Sequence, residues 1–116
     1  MPTNSVEQKL GPNAQAALQE LRERLVELLA GRPFTAVLFG SRARGDFDTY
    51  SDLDVSIIVG GLDRPLKRLI IDLVIDIETK YETYISPLVM SSEEFDALRR
   101  RERRIALDIE REGISF

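Results

Sequence analysis

The chain contains no cysteine and no histidine. Without cysteine there is no disulfide framework and no thiolate metal site, and without histidine the commonest general base and zinc ligand are missing as well. Acid–base work therefore falls to carboxylates or to the substrate itself. Long apolar runs are also lacking: nothing approaches the roughly 20 residues that span a bilayer. The first residues do not show the basic and then apolar order of an export signal, so no membrane partner and a cytoplasmic location are expected. Positive charge is not in surplus either. Sixteen basic residues against 20 acidic ones leave a formal net charge of -4, which argues against broad coating of nucleic acid but not against a small nucleotide held through a cation. Aromatic residues are few and scattered. Phe34, Phe39 and Phe95 have apolar neighbours and read as core, whereas Phe47, Tyr50, Tyr81 and Tyr84 fall near the rim of the site described next.

What the chain does contain is a compact cassette. Gly40 and Ser41 are followed, after a ten-residue spacer, by Asp52, Leu53 and Asp54. The runs on either side, Thr35 to Phe39 and Val55 to Val59, are short, β-branched or aromatic, and bounded by glycine, which predicts two buried strands. On a strand, Asp52 and Asp54 are two residues apart and project from one face while Leu53 points to the other. At a separation of ~4 Å and an effective dielectric of ~20, two such carboxylates repel by about 4 kcal/mol, which a divalent cation relieves. Hard oxygen ligands favour magnesium, which accepts one or two carboxylates together with waters and substrate phosphates. Gly40 permits close approach of the backbone, Ser41 offers a hydroxyl and an N–H to a phosphate oxygen, and Arg42 and Arg44 can neutralise the rest of a triphosphate. A turn followed by an acidic edge strand is the plainer explanation of either half taken alone.

Taken together, Leu38-Phe39-Gly40-Ser41-Arg42-Ala43-Arg44-Gly45 and Ser51-Asp52-Leu53-Asp54-Val55-Ser56-Ile57-Ile58-Val59 resemble the signature of minimal nucleotidyltransferases in the DNA polymerase β-like superfamily. The resemblance extends from about Leu18 to the C-terminus, although only the cassette is diagnostic. It implies an α/β (α+β) fold with a small mixed sheet flanked by helices. Gly40 and Ser41 would contact nucleotide phosphate, and Asp52 and Asp54 would be catalytic ligands of magnesium or manganese. It further implies transfer of a nucleoside monophosphate, AMP from ATP before others, to a hydroxyl. In toxin–antitoxin pairs of this family the acceptor is a tyrosine of a HEPN-domain toxin, so a HEPN-type partner and an antitoxin role are implied. Self-association is left open by the small size of the chain.

One departure stands out. Active members of the superfamily usually carry a third carboxylate on the strand after the intervening helix, and the matching run Thr83 to Val89 has no acid. Glu82 precedes it, in two-residue step with Tyr84 and Ser86, and is the nearest substitute for a catalytic base. A catalytically impaired nucleotide-binding module that acts by direct contact with its partner is therefore the alternative to an enzyme.

The remaining pattern is that of one small domain. Residues 1–11 read as a loose tail and 12–116 as a single folded unit. Leu18, Leu21, Leu25 and Leu28 predict a helix over 13–30, stopped at Gly31. Pro65 opens a second helix over 64–80, with Leu66, Leu69, Ile70, Leu73 and Ile77 facing the sheet and Asp72 and Asp76 facing solvent. Ser91 and Glu94 form a capping box that starts a last helix, expected to run unbroken to Gly113. Ile114 to Phe116 could then add an edge strand or an apolar tail. Within that helix, Arg99, Arg100, Arg101, Arg103 and Arg104 read as a solvated face shared with Glu102 and its acidic neighbours.

Overall fold

The computed structural model describes residues 11–40, 43 and 52–116. Along them run α1 (Pro12–Leu29), β1 (Phe34–Phe39), β2 (Leu53–Val59), α2 (Arg64–Tyr81), β3 (Ile85–Ser91), α3 (Ser92–Arg100), α4 (Arg104–Glu112) and the short β4 (Ile114–Ser115). The strands make one mixed sheet in the order β3-β2-β1-β4; β2 and β3 are parallel, and the other two pairings are antiparallel. A parallel neighbour requires a crossover, which α2 supplies. The mixed sheet flanked by helices matches the expected fold class.

Alternation along β2 sorts the sheet into two faces. Leu53, Val55, Ile57 and Val59 are completely buried. Beside them in register stand Leu38 and Ala36 of β1 and Ile85 and Val89 of β3. These join Leu18, Leu21, Leu25 and Leu29 of α1 and Ile70, Leu73, Val74 and Ile77 of α2 in one continuous core. Each large aliphatic buried there contributes about 1.5–3 kcal/mol relative to exposure. On the other face Phe39, Ser56, Ile58 and Met90 are buried, where α3 and α4 pack on the strands with Ala106 and Ile109 inward. The Ser56 hydroxyl is fully enclosed and has no hydrogen-bond partner among the described residues.

The helix ends follow local chemistry. The Asp63 side chain accepts from the Leu66 N–H at 2.9 Å to start α2, with Pro65 in the first turn. Ser91 and Glu94 cap α3 reciprocally at 3.0 Å each. Between α1 and α2, Glu20 accepts from Lys80 Nζ and from the Tyr81 hydroxyl, both at 2.6 Å. Tyr81 is thereby tied to the helix pair. The hydrogen bond from Lys80, then that from Tyr81, holds the Glu20 carboxyl below its ordinary value, while the same contacts raise Lys80 and Tyr81. A lowered carboxyl stabilises the fold above its unfolded pKa and loses that contribution as pH falls through the folded value. The raised Lys80 contributes below its unfolded pKa and is lost as pH rises through the folded one. The latch thus opens at both extremes of pH.

Several expectations need correction. The last helix is two helices, because the chain turns at Arg101 and Glu102. Arg103 N–H reaches Leu98 O at 2.9 Å and Glu102 N–H reaches Arg99 O at 3.0 Å, with Glu102 at φ 53°. This is a Schellman closure with glutamate in the left-handed position usually held by glycine, so composition hid it. An unbroken helix would also stack Arg99 over Arg103 and Arg100 over Arg104, like charges at i,i+4. Leu69 lies 51% exposed and not on the sheet. Phe95 is only half-buried, and β3 begins two residues later than expected, at Ile85. Ile114 and Ser115 do form an edge strand, opposite Leu38 and Val37. A Cβ on Gly113 would strike both the Ile109 carbonyl and Val37, so only glycine lets α4 run directly into that strand. The tail expected over 1–11 lies outside the described residues except for Gly11.

Glu102→Gly should raise the unfolding free energy measured by urea denaturation by about 0.5–1 kcal/mol, since glycine relieves the left-handed backbone. Ser56→Ala should leave stability unchanged or increase it, because an enclosed hydroxyl without a partner costs about 1–3 kcal/mol. A loss above about 1 kcal/mol in the same denaturation would show that the Ser56 hydroxyl is satisfied after all.

Candidate functional site

Three strand ends meet at one edge of the sheet. The antiparallel register sets Phe39 opposite Asp54, so Gly40, the next residue, comes to lie against that carboxylate. Its φ is +77°, and a Cβ there would collide with Asp54 Oδ2. Glycine is thus required twice over, by backbone conformation and by the space the carboxylate occupies. Ala43 N–H donates to Gly40 O at 3.1 Å, and Ala43 is buried.

The parallel partner completes the edge. Leu53 N–H donates to Tyr84 O at 2.9 Å, and Asp54 stands opposite Ser86. The Ser86 hydroxyl donates to Asp52 Oδ2 at 2.9 Å. Paired residues of neighbouring strands share a face, so this contact brings Asp52 to the side of the sheet that carries Asp54 and Ser86, away from buried Leu53. The start of β3 is held by Glu78, whose carboxylate accepts from the Ile85 N–H at 2.8 Å. Tyr84 is 68% exposed beside this edge.

Glu82 is placed differently from the sequence expectation. It is the C-cap of α2, at φ 50° with its N–H on Glu78 O, and lies outside β3. The two-residue alternation that would aim it with Tyr84 and Ser86 does not reach it. Ser41, Arg42 and Arg44, together with Phe47 and Tyr50, lie outside the described residues. Two contributors escaped sequence reasoning: Ser86, the hydrogen-bond partner of Asp52, and Glu78, the anchor of β3. Only the β2–β3 register reveals the first, and a lone glutamate on a helix carries no signal for the second.

A divalent cation fits this arrangement. Asp52 and Asp54 are hard oxygen donors, and Gly40, having no Cβ, lets the Asp54 carboxylate lie against the backbone. Among the described residues no cluster of three or more acidic, histidine or cysteine ligands exists, so of these residues Asp52 and Asp54 are the pair that would hold the ion. That suits magnesium, which completes its octahedron with water and phosphate oxygens. Among the same residues, no helix is long and apolar enough to cross a membrane.

Comparison with known proteins points to a family. The family described as the nucleotidyltransferase domain matches residues 18–110. A Methanocaldococcus jannaschii protein named provisionally as a protein adenylyltransferase is 37% identical over 84 residues, covering 72% of this chain and 80% of its own. A second from the same organism, named in the same way, is 34% identical over 73 residues, covering 62% and 74%. A crystal structure of a provisionally named nucleotidyltransferase from Sulfolobus solfataricus covers 99% of this chain and 88% of that one. Its identity of 18% and TM-score of 0.45 make it a loose match.

Gly40→Ala should displace the Asp54 carboxylate and weaken cation-dependent nucleotide binding at least tenfold. It should also cost about 1–2 kcal/mol of stability from the positive φ, while the melt stays cooperative. Calorimetry alongside thermal denaturation separates these effects; unchanged affinity with a collapsed fold would make Gly40 a turn residue only.

Proposed function

We propose, from the premise that this chain belongs to the nucleotidyltransferase-domain family, that it transfers AMP from ATP to a hydroxyl of a partner protein. The observation that carries the proposal is the meeting of Gly40, Asp52 and Asp54 at one sheet edge, with glycine demanded by the Asp54 carboxylate itself. The names of the archaeal relatives support the adenylyl group and a protein acceptor. The family resemblance of the cassette supports a HEPN-type toxin as that partner, with this chain as antitoxin.

In this reading Asp52 and Asp54 bind magnesium or manganese, which neutralises phosphate charge when present. Gly40 admits the triphosphate close to the backbone, and Ser41, Arg42 and Arg44 hold its oxygens. The acceptor oxygen forms a bond to the α-phosphorus as the bond to the β-phosphate oxygen breaks, and pyrophosphate leaves. Holding these groups in line supplies most of the acceleration. The hydroxyl proton passes to the substrate's own phosphate, because Glu82, the base the sequence offered, lies on the cap of α2 and outside β3. A second reading has an observation of its own: Ser86 stands opposite Asp54, where a third carboxylate would be expected. On that reading the chain binds nucleotide and acts on its partner by contact alone.

Purified chain and its co-purifying partner should incorporate label from α-labelled ATP with added magnesium or manganese. Chelator, or Asp52→Asn with Asp54→Asn, should abolish both incorporation and nucleotide binding. Binding without incorporation favours the contact reading. Equal nucleotide binding in chelator would remove the cation from the site altogether.

A further inference from the structure

We propose that Ser86 is a positioning residue of the cation site, whose hydroxyl orients Asp52 and whose lack of charge makes the site take its divalent cation together with the triphosphate and not before it. The inference rests on the reading of Asp52 and Asp54 as the cation's ligands and deepens it.

The register admits one residue of β3 to this place. Ser86 pairs with Asp54 and its hydroxyl reaches Asp52 Oδ2 at 2.9 Å. The next residue on that face, Leu88, is apolar and lies opposite buried Ser56. Tyr84 precedes the strand and is exposed, Glu78 is engaged by the Ile85 N–H, and Glu82 sits on the helix cap. Ser86 therefore holds the one position on β3 from which a side chain meets both halves of the carboxylate pair.

Two consequences follow from the chemistry of a hydroxyl there. By donating to one oxygen of Asp52, Ser86 restrains the rotamer of that carboxylate and leaves its other oxygen to a metal. Partners of this kind typically change metal affinity by about 10–100-fold when removed. A carboxylate at the same place would add a third negative charge to Asp52 and Asp54, enough to retain a bare cation against its hydration. With serine the described residues at this edge contribute the two charges of Asp52 and Asp54, and magnesium gives up water reluctantly, so phosphate oxygens are needed to complete the shell. Cation and nucleotide then enter as one unit, and the site stands uncharged by metal between turnovers.

The experiment titrates the whole chain with manganese and reads free ion by electron paramagnetic resonance. It is run alone and with an ATP analogue bearing a methylene bridge between the α- and β-phosphorus atoms, each read against the same mixture without protein, since the analogue itself binds manganese. Wild type should hold manganese tightly only with the analogue. Ser86→Ala should weaken that analogue-dependent binding about tenfold or more with an unchanged melt, and Ser86→Thr should restore it. Ser86→Asp should bind manganese without the analogue. If Ser86→Ala and Ser86→Asp both titrate like wild type while wild type binds manganese with the analogue, the role of Ser86 is overturned and the cation site stands. If wild type binds no manganese even with the analogue, and Asp52→Asn with Asp54→Asn alters nothing, the cation site falls and the inference with it.

Discussion

β2 must bury Leu53, Val55, Ile57 and Val59 against α1 and α2, and the arrangement of the site follows from that demand. A strand alternates its faces, so a row of large aliphatics on one side obliges Asp52 and Asp54 to emerge on the other. The cost of slipping the register by one residue would be the exposure of the whole row, which makes the placement of the carboxylates as firm as the core itself. Their mutual repulsion is thus imposed by hydrophobic burial. Gly40 belongs to the same constraint, since the antiparallel pairing that completes the row also presses residue 40 against Asp54.

The site is economical. One glycine, two carboxylates and a serine hydroxyl come from three strand ends, and α2 both connects two of those strands and supplies Glu78 to hold the third end in place. Rigid strands suit a reaction that depends on alignment more than on proton transfer. The outer edge of β3 carries Pro87, which cannot donate to a further strand. On the opposite side, β4 is two residues long, and the Phe116 N–H on Ala36 O with Arg22 on Phe116 O fastens the last residue over the edge.

The second layer is organised by charge as much as by apolar packing. The hinge between α3 and α4 divides the arginine run, so that Arg99 faces Asp96 and Glu110, and Arg104 faces Asp108. These are exposed pairs of small individual worth. Their arrangement is consistent with a solvated basic turn and not with a continuous basic helix face, and it leaves Ala106 and Ile109 free to cover the sheet.

Much of this was determined by the sequence itself. Leucine spacing along α1, the Pro65 start of α2, the Ser91–Glu94 box and the β-branched runs are local signals whose energies act over a few residues. The elements they mark appear where they point. The pairing of Gly40 with Asp-x-Asp was likewise legible, because the spacing is written in the chain. What tertiary structure alone decided concerns partners distant in sequence. The β2–β3 register brought Ser86 to Asp52, 34 positions away, and left Glu82 on a helix cap, since alternation cannot say where a strand begins. The break at Glu102 escaped for a related reason: a left-handed glutamate has no compositional mark, and the helix ends there because two short helices cover the sheet while one long helix would stack arginine on arginine.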